Sequence, residues 1–263
     1  MGVSWAFLDH PGPIAFAHRG GASELPENTM AAFEHAVDMG YRYLETDVHV
    51  TADGVVVAFH DSSLDRVTDR TGRIAELPWS EVRRARVVGR PGGNASDGDH
   101  RIPLIEDVLA AWPDVRVNID PKADRSVSPL VEVLRRTQSF DRVCVAAFSD
   151  RRLARFRRLT GGQVCTGMGP VEIARLRAAS VAGVAGPLGG ACVQVPVAVG
   201  RATVVDQRFV DAAHRRGLPV HVWTVDDEHE IGRLLDLGVD GIMTDRPAVL
   251  KDVLARRDQW VGR

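Results

Sequence analysis

Tyr43-Leu44-Glu45-Thr46-Asp47-Val48-His49-Val50 runs into Thr51-Ala52-Asp53-Gly54 and out again through Val55-Val56-Val57-Ala58-Phe59-His60-Asp61. Side chains alternate across a strand. Tyr43, Glu45, Asp47 and His49 therefore share one face, and Leu44, Thr46 and Val48 the other. The four-residue link Thr51–Gly54 cannot hold a crossover helix, so the two strands must be antiparallel, with Gly54 as the left-handed residue that closes the turn. If Val50 pairs with Val55, Glu45 falls opposite His60, with β-carbons about 5 Å apart.

Outward from this hairpin, strand-like and helix-like segments alternate along the chain. Ile14–His18 precedes it; Val115–Asp120, Arg142–Ala147, Gln163–Met168, Ala191–Pro196, Pro219–Thr224 and Gly241–Thr244 follow. Helical periodicity is clearest in Thr29–Met39, with Asn28 as expected N-cap and Gly40 as stop, and in Ile105–Trp112, Ser149–Leu159, Val171–Ala178, Asp206–Arg216 and Asp227–Leu237. Eight strands joined by helical crossovers, plus the hairpin strand, predict an α/β fold, a (β/α)8 TIM barrel. A single barrel domain is expected over residues 1–263, with an insertion over about 62–101 at the C-terminal mouth. No G-x-G-x-x-G follows the first strand, which argues against a dinucleotide site. Gly200 and Pro187-Leu188-Gly189-Gly190 mark turns, and the Gly-rich run from Gly89 to Gly98 is expected to be a mobile lid or a plain surface loop, the plain loop favoured.

Composition narrows the function classes. The 263 residues are 44% hydrophobic and carry a net charge of −2, so there is no basic field for nucleic acid or anionic lipid. No apolar run reaches the length of a membrane span, and no signal-like segment opens the chain, so a cytoplasmic enzyme without membrane insertion is expected. Cys144, Cys165 and Cys192 are odd in number and widely spaced in apolar segments. Buried free thiols are expected, rather than disulfides or a zinc site.

The acidic face points into the barrel if the apolar face packs on helices. The segment Arg116-Val117-Asn118-Ile119-Asp120-Pro121-Lys122 repeats the pattern, with Asn118, Asp120 and Lys122 inward near the strand's C-terminal end, the end at which such barrels carry their chemistry. Glu45, Asp47 and Asp120 then form three carboxylates at one mouth. Like charges that close need protons or a cation. An all-oxygen set selects Mg²⁺ or Ca²⁺ over zinc. His18 and His60 are left for proton transfer. The bland alternative is a structural ion-pair network with Arg19 and Lys122.

At these residues the chain resembles the glycerophosphodiester phosphodiesterase family, the phospholipase-C-like phosphodiesterase barrels. The resemblance rests on His18-Arg19-Gly20, Pro26-Glu27-Asn28-Thr29, Glu45-x-Asp47-Val48, Thr51-x-Asp53-Gly54, His60-Asp61, Trp223-Thr224-Val225 and Thr244-Asp245-Arg246-Pro247. It implies a divalent metal held by Glu45, Asp47 and the acid of a Glu-x-Lys motif, which here reads Asp120-Pro121-Lys122. Aspartate shortens that reach by one methylene and leaves the choice between Mg²⁺ and Ca²⁺ open. The resemblance also implies His18 and His60 as the acid/base pair, Arg19 and Lys122 near the phosphate, and Trp223 lining the substrate site. The implied reaction is hydrolysis of a small phosphodiester to sn-glycerol 3-phosphate and an alcohol. His60 is expected to be the base, because of its place beside Glu45.

Other residues divide more evenly. His49 is expected to hydrogen-bond at the rim; His35, His214 and His229 to lie on the surface; Arg151–Arg158 to form a solvated face. Asn28 either caps its helix or orients a ligand side chain. Gln194 is a satisfied core amide or a substrate contact. Asp61 orients His60 or starts the insertion's turn. Two competing readings are a phospholipase D-like enzyme acting on lysophospholipids or sphingolipids and a non-catalytic binding barrel. The polar insertion, with Gly92-Gly93-Asn94 and Asp97-Gly98-Asp99, favours a soluble headgroup over the lipid.

Overall fold

A computed structural model describes residues 5–89, 98–183 and 186–263. The strands are β1 (Ile14–His18), β2 (Tyr43–Val50), β3 (Val56–Ala58), β4 (Arg116–Pro121), β5 (Val143–Val145), β6 (Cys165–Thr166), β7 (Val193–Pro196), β8 (Ala198–Val199), β9 (Ala202–Thr203), β10 (Val220–Trp223) and β11 (Gly241–Thr244). Eight of them pair in parallel in the order β6-β5-β4-β2-β1-β11-β10-β7, and β3 pairs antiparallel with β2. A parallel bridge between Gly167 and Cys192 joins β6 to β7 and closes the ring, with Met168 N–H donating to Cys192 O at 3.0 Å. The predicted barrel is therefore present, with its closing seam the thinnest ladder.

The helices are α1 (Met30–Asp38), α2 (Trp79–Val82), α3 (Ile105–Ala111), α4 (Val127–Arg136), α5 (Asp150–Leu159), α6 (Pro170–Ala182), α7 (Gln207–His214), α8 (Glu228–Asp236) and α9 (Pro247–Arg256). Strand residues such as Val48, Val117, Ile119, Val145 and Val222 share one buried cluster with Phe33, Leu109, Leu130, Phe156, Phe209, Leu234 and Leu250 of the helices. Each such side chain contributes about 1.5–3 kcal/mol by leaving water. Inward residues form a second cluster of Phe7, Phe16, Tyr43, Met243 and the three cysteines. Among the described residues, no helix is long and apolar enough to cross a membrane.

Three sequence expectations change. The hairpin loop holds three residues, not four: Thr51 N–H donates to Val55 O at 3.0 Å, and Gly54, at φ +89°, closes it. Val50 therefore pairs with Val56, not Val55, and Glu45 does not face His60. A shift of one residue changes every cross-strand partner. The N-cap of α1 is Thr29, whose Oγ1 accepts from Ala32 N–H at 3.2 Å; Asn28 is freed for another task. Gly200, expected to mark a turn, turns the two-stranded β8–β9 hairpin, whose strands of two residues carry no period in the sequence.

The segment between β3 and α3 packs a satellite core of Leu64, Val67, Ile74, Val82, Ala85, Val87 and Ile102 onto Val57 and Phe59. Most of the Gly-rich run, together with Gly92, Gly93, Asn94 and Asp97, lies outside the described residues.

Candidate active site

Parallel register lays out the mouth. His18 of β1 is level with Glu45 of β2, Glu45 with Asn118 of β4, and Asp47 with Asp120. These side chains and His60 line a cleft of about 540 Å³ that also includes Arg19, Lys122, Gln194 and Trp223. Each residue assigned a site role from sequence thus reaches the same cavity.

Both histidines are held through Nδ1 by a carboxylate. His18 Nδ1 is 2.6 Å from Asp245 Oδ1, and His60 Nδ1 is 2.6 Å from Asp61 Oδ1. Such a bond fixes the ring and its tautomer and leaves Nε2 for chemistry. The carboxylate beside His18 is Glu45, 3.7 Å from Nε2. Burial alone would lower the pKa of His18, but Glu45 and Asp245 outweigh it and hold the pKa above the ordinary value. Asp245 lies 227 positions from His18, so nothing local in the sequence marks it as the partner of that ring.

The carboxylates meet two cations. Lys122 Nζ lies 2.6 Å from Asp47 Oδ1 and 2.7 Å from Asp120 Oδ2. Arg19 Nε approaches Asp47 Oδ2 at 2.9 Å, out of hydrogen-bonding alignment, while its Nη1 donates to Glu27 at 3.0 Å. Burial raises the pKa of Asp47, but Lys122 and Arg19 prevail and keep it below the usual range. Glu45 is pushed up to about 7, by burial and by Asp47. Asp120 is raised by burial against the pull of Lys122, and its Oδ1 is buried without a hydrogen-bond partner. An orphaned carboxylate oxygen and a carboxyl this reluctant to ionise are what a hard cation relieves. The donor set Glu45, Asp47 and Asp120 fits Mg²⁺ or Ca²⁺.

Backbone strain is spent here. Arg19 (φ +52°) and Asn28 (φ +56°) are both left-handed, and Asn28 N–H donates to Arg19 O at 2.9 Å. This pose is uncommon outside glycine. It sends Asn28 Nδ2 to Asp47 Oδ2 at 3.2 Å, while Asn28 Oδ1 accepts from Thr46 at 2.7 Å. Asn28 therefore orients Asp47. Gly20 must stay glycine: at φ +83°, a β-carbon would lie 2.8 Å from the Ala32 backbone.

Arg66, from the insertion, donates to both Asp61 and Glu27, so Glu27 links Arg66 to Arg19. Sequence reasoning missed both Glu27 and Arg66; Glu27 stands in a quoted motif, whereas Arg66 carries no local signal. His49 Nε2 lies 3.1 Å from His60 O, the expected rim contact. Gln194 is bonded to Asn118 and still lines the cleft. His35 and His214 pair with Glu24 and Asp240 at the surface. In the Arg151–Arg158 run, Arg152 pairs with Asp124 and Arg157 with Glu172.

Away from the carboxylates the cleft turns apolar. Phe148, Met168, Ile173, Val199, Val204 and Trp223 form that wall. Phe148 and Trp223 pack edge-on at 5.3 Å, and Phe148 and Val199 are each 65% exposed.

A closed parallel barrel whose mouth joins carboxylate-held histidines to inward carboxylates defines a hydrolase of the phosphodiesterase-barrel class. The chain belongs to the glycerophosphoryl diester phosphodiesterase family, whose model matches residues 18–249, and it is an enzyme of that kind. It is 40% identical, over 97% of its length and 96% of the relative's, to a Mycobacterium tuberculosis protein named a probable glycerophosphodiester phosphodiesterase. It is 31% identical to a Mus musculus lysophospholipase D, covering 90% of this chain and 85% of that one. The fold matches the glycerophosphodiester phosphodiesterase of Agrobacterium tumefaciens (TM-score 0.75, 23% identity, 92% and 99% of the two chains). It also matches an Oleispira antarctica phosphodiesterase solved with the product sn-glycerol-3-phosphate (TM-score 0.76, 22% identity, 93% and 97%).

Proposed function

We propose that the chain hydrolyses glycerophosphodiesters to sn-glycerol 3-phosphate and an alcohol, with a divalent cation held by Glu45, Asp47 and Asp120. The observation that carries this reading is the pair of histidines at one mouth, each fixed through Nδ1 by its own carboxylate. A bound Mg²⁺ or Ca²⁺ would supply Lewis-acid polarisation and neutralise charge at the phosphate. Arg19 and Lys122, anchored by Asp47, Asp120 and Glu27, present positive charge to the phosphoryl oxygens. His18, its pKa raised by Glu45 and Asp245, gives its proton to the leaving alcohol. His60, oriented by Asp61, takes the proton of the attacking hydroxyl or water. His18, not His60, stands beside Glu45; the assignment of His18 as acid rests on Glu45 and Asp245 together, which raise its pKa. Trp223 lines the substrate cleft. The free cysteines suit a reducing compartment, and the cytoplasm is the proposed location.

The apolar wall around Phe148 and Trp223 supports a second reading, in which the glycerol carries an acyl chain and the enzyme cleaves lysophospholipids. Product analysis on glycerophosphocholine, glycerophosphoethanolamine and lysophosphatidylcholine, with Mg²⁺ or Ca²⁺ supplied, tests both. Turnover of none of them overturns the enzyme assignment to this substrate class. Turnover of lysophosphatidylcholine alone selects the second reading.

A further inference from the structure

Cys144, Cys165 and Cys192 are remote in sequence but meet inside the barrel. Parallel register sets Cys144 of β5 level with Cys165 of β6, and the closing bridge brings in Cys192 beside β7. Their sulfurs all lie within 4.8 Å of one another, and Cys144 and Cys192 are 3.9 Å apart. All three are buried and free. A tetrahedral ion with metal–sulfur bonds of about 2.3 Å needs sulfurs about 3.8 Å apart, so the trio is close to one face of such a tetrahedron.

A candidate fourth donor is adjacent. His221, on β10, is 0% exposed and neighbours the Cys192 thiol, but it stands outside the group of ligand atoms that lie within 4.8 Å of one another, so its ring must shift to complete a tetrahedron. Its Nε2 is buried without a hydrogen-bond partner, while its Nδ1 lies 3.4 Å from the Gln194 amide. An unpaired ring nitrogen in an apolar interior is costly. An outer hydrogen bond on the other nitrogen is the arrangement of a ligating histidine. Reversing the Asn118 and Gln194 amides together would keep their mutual bonds and turn an acceptor towards Nδ1–H.

We propose that Cys144, Cys165, Cys192 and His221 form a soft-metal site, a tetrahedral zinc centre separate from the oxygen site at the mouth. The ion would clip β5, β6, β7 and β10 across the seam where the barrel is closed by a single bridge between β6 and β7. Uptake releases the thiol protons, and the thiolates with one neutral imidazole hold the ion. The expectation of plain buried thiols gives way here because register, not sequence spacing, gathers them.

The test uses the whole chain. Isolated protein should carry one zinc that survives the EDTA treatment used to strip the mouth, with sulfur neighbours at about 2.3 Å in its zinc-edge absorption spectrum. Protein made in cobalt-supplemented, zinc-depleted medium should show a thiolate-to-cobalt charge-transfer band, lost in Cys144→Ser and weakened or shifted in His221→Ala. A zinc shell of oxygen and nitrogen alone, or wild-type cobalt protein without the band, overturns the proposal. The wild-type spectra decide even if a variant fails to fold.

Discussion

Replacing Asp245 by Asn removes one charge at nearly constant shape. His18 Nδ1 sits 2.6 Å from Asp245 Oδ1, and both side chains are mostly buried, so solvent screens the pair little. A hydrogen bond to a charged partner is worth about 1.5–3 kcal/mol. If that energy supports His18 as the acid in the transition state, kcat on glycerophosphocholine should fall about 10- to 100-fold. The same loss lowers the pKa of His18, because Asp245 is one of the two carboxylates that raise it. The protonated acid is the active form, so the alkaline limb of the kcat/KM profile should move to lower pH. The assay is glycerol 3-phosphate release coupled to its dehydrogenase, repeated with a nitrophenyl diester. The better leaving group needs less protonation, so it should restore most of the Asp245→Asn rate. An unchanged alkaline limb with full kcat would refute the assignment of His18 as acid. Rescue of His60→Ala alone by the nitrophenyl substrate would exchange the two roles.

Lys122→Met should cut kcat/KM about 10²- to 10³-fold by removing charge beside the phosphate. It also leaves Asp47 and Asp120 without their shared partner, so its metal-free thermal midpoint should drop and recover on adding Mg²⁺ or Ca²⁺; equal midpoints with and without the ion would count against the carboxylate site. Glu172 accepts from Gly169 N–H and Gly189 N–H and pairs with Arg157. Burial opposes ionisation, yet these partners hold its pKa below the ordinary 4.5. Its folded pKa is depressed, so its stabilisation is present above 4.5 and fades as pH falls through the folded value. The stability gap between wild type and Glu172→Gln, read by urea unfolding, should be flat above pH 4.5 and shrink below it; a gap that grew on acidification would contradict this. Phe148→Ala removes the ring packed on Trp223, worth about 0.5–1.5 kcal/mol. KM for lysophosphatidylcholine should rise about 2- to 12-fold, with glycerophosphocholine unchanged; equal effects would disconnect the apolar wall from an acyl chain.

The strand alternation in Tyr43–Val50 and Arg116–Lys122 was enough to aim Glu45, Asp47, Asp120 and Lys122 into one mouth, because a two-residue period is a local property. Register across the hairpin was not local in that sense: Gly54 closes a loop of either length, and only the Thr51–Val55 bond decides it. The partners of the catalytic side chains were legible as motif residues but not as partners. Asp245 reaches His18 because β11 lies beside β1 when the barrel closes, and Glu27 joins Arg19 to Arg66 through a loop with two left-handed residues. The cysteine cluster is the same lesson. It forms at the seam between β6 and β7, and no pairwise spacing in the sequence encodes that seam.

The most direct test of the account is turnover of glycerophosphocholine by EDTA-stripped protein before and after Mg²⁺ or Ca²⁺ is returned, in wild type, His18→Ala and His60→Ala. The account predicts no glycerol 3-phosphate from stripped wild type, recovery with one of the two ions, and no recovery in either histidine variant. Full turnover in EDTA, or wild-type rates in both variants, would contradict it.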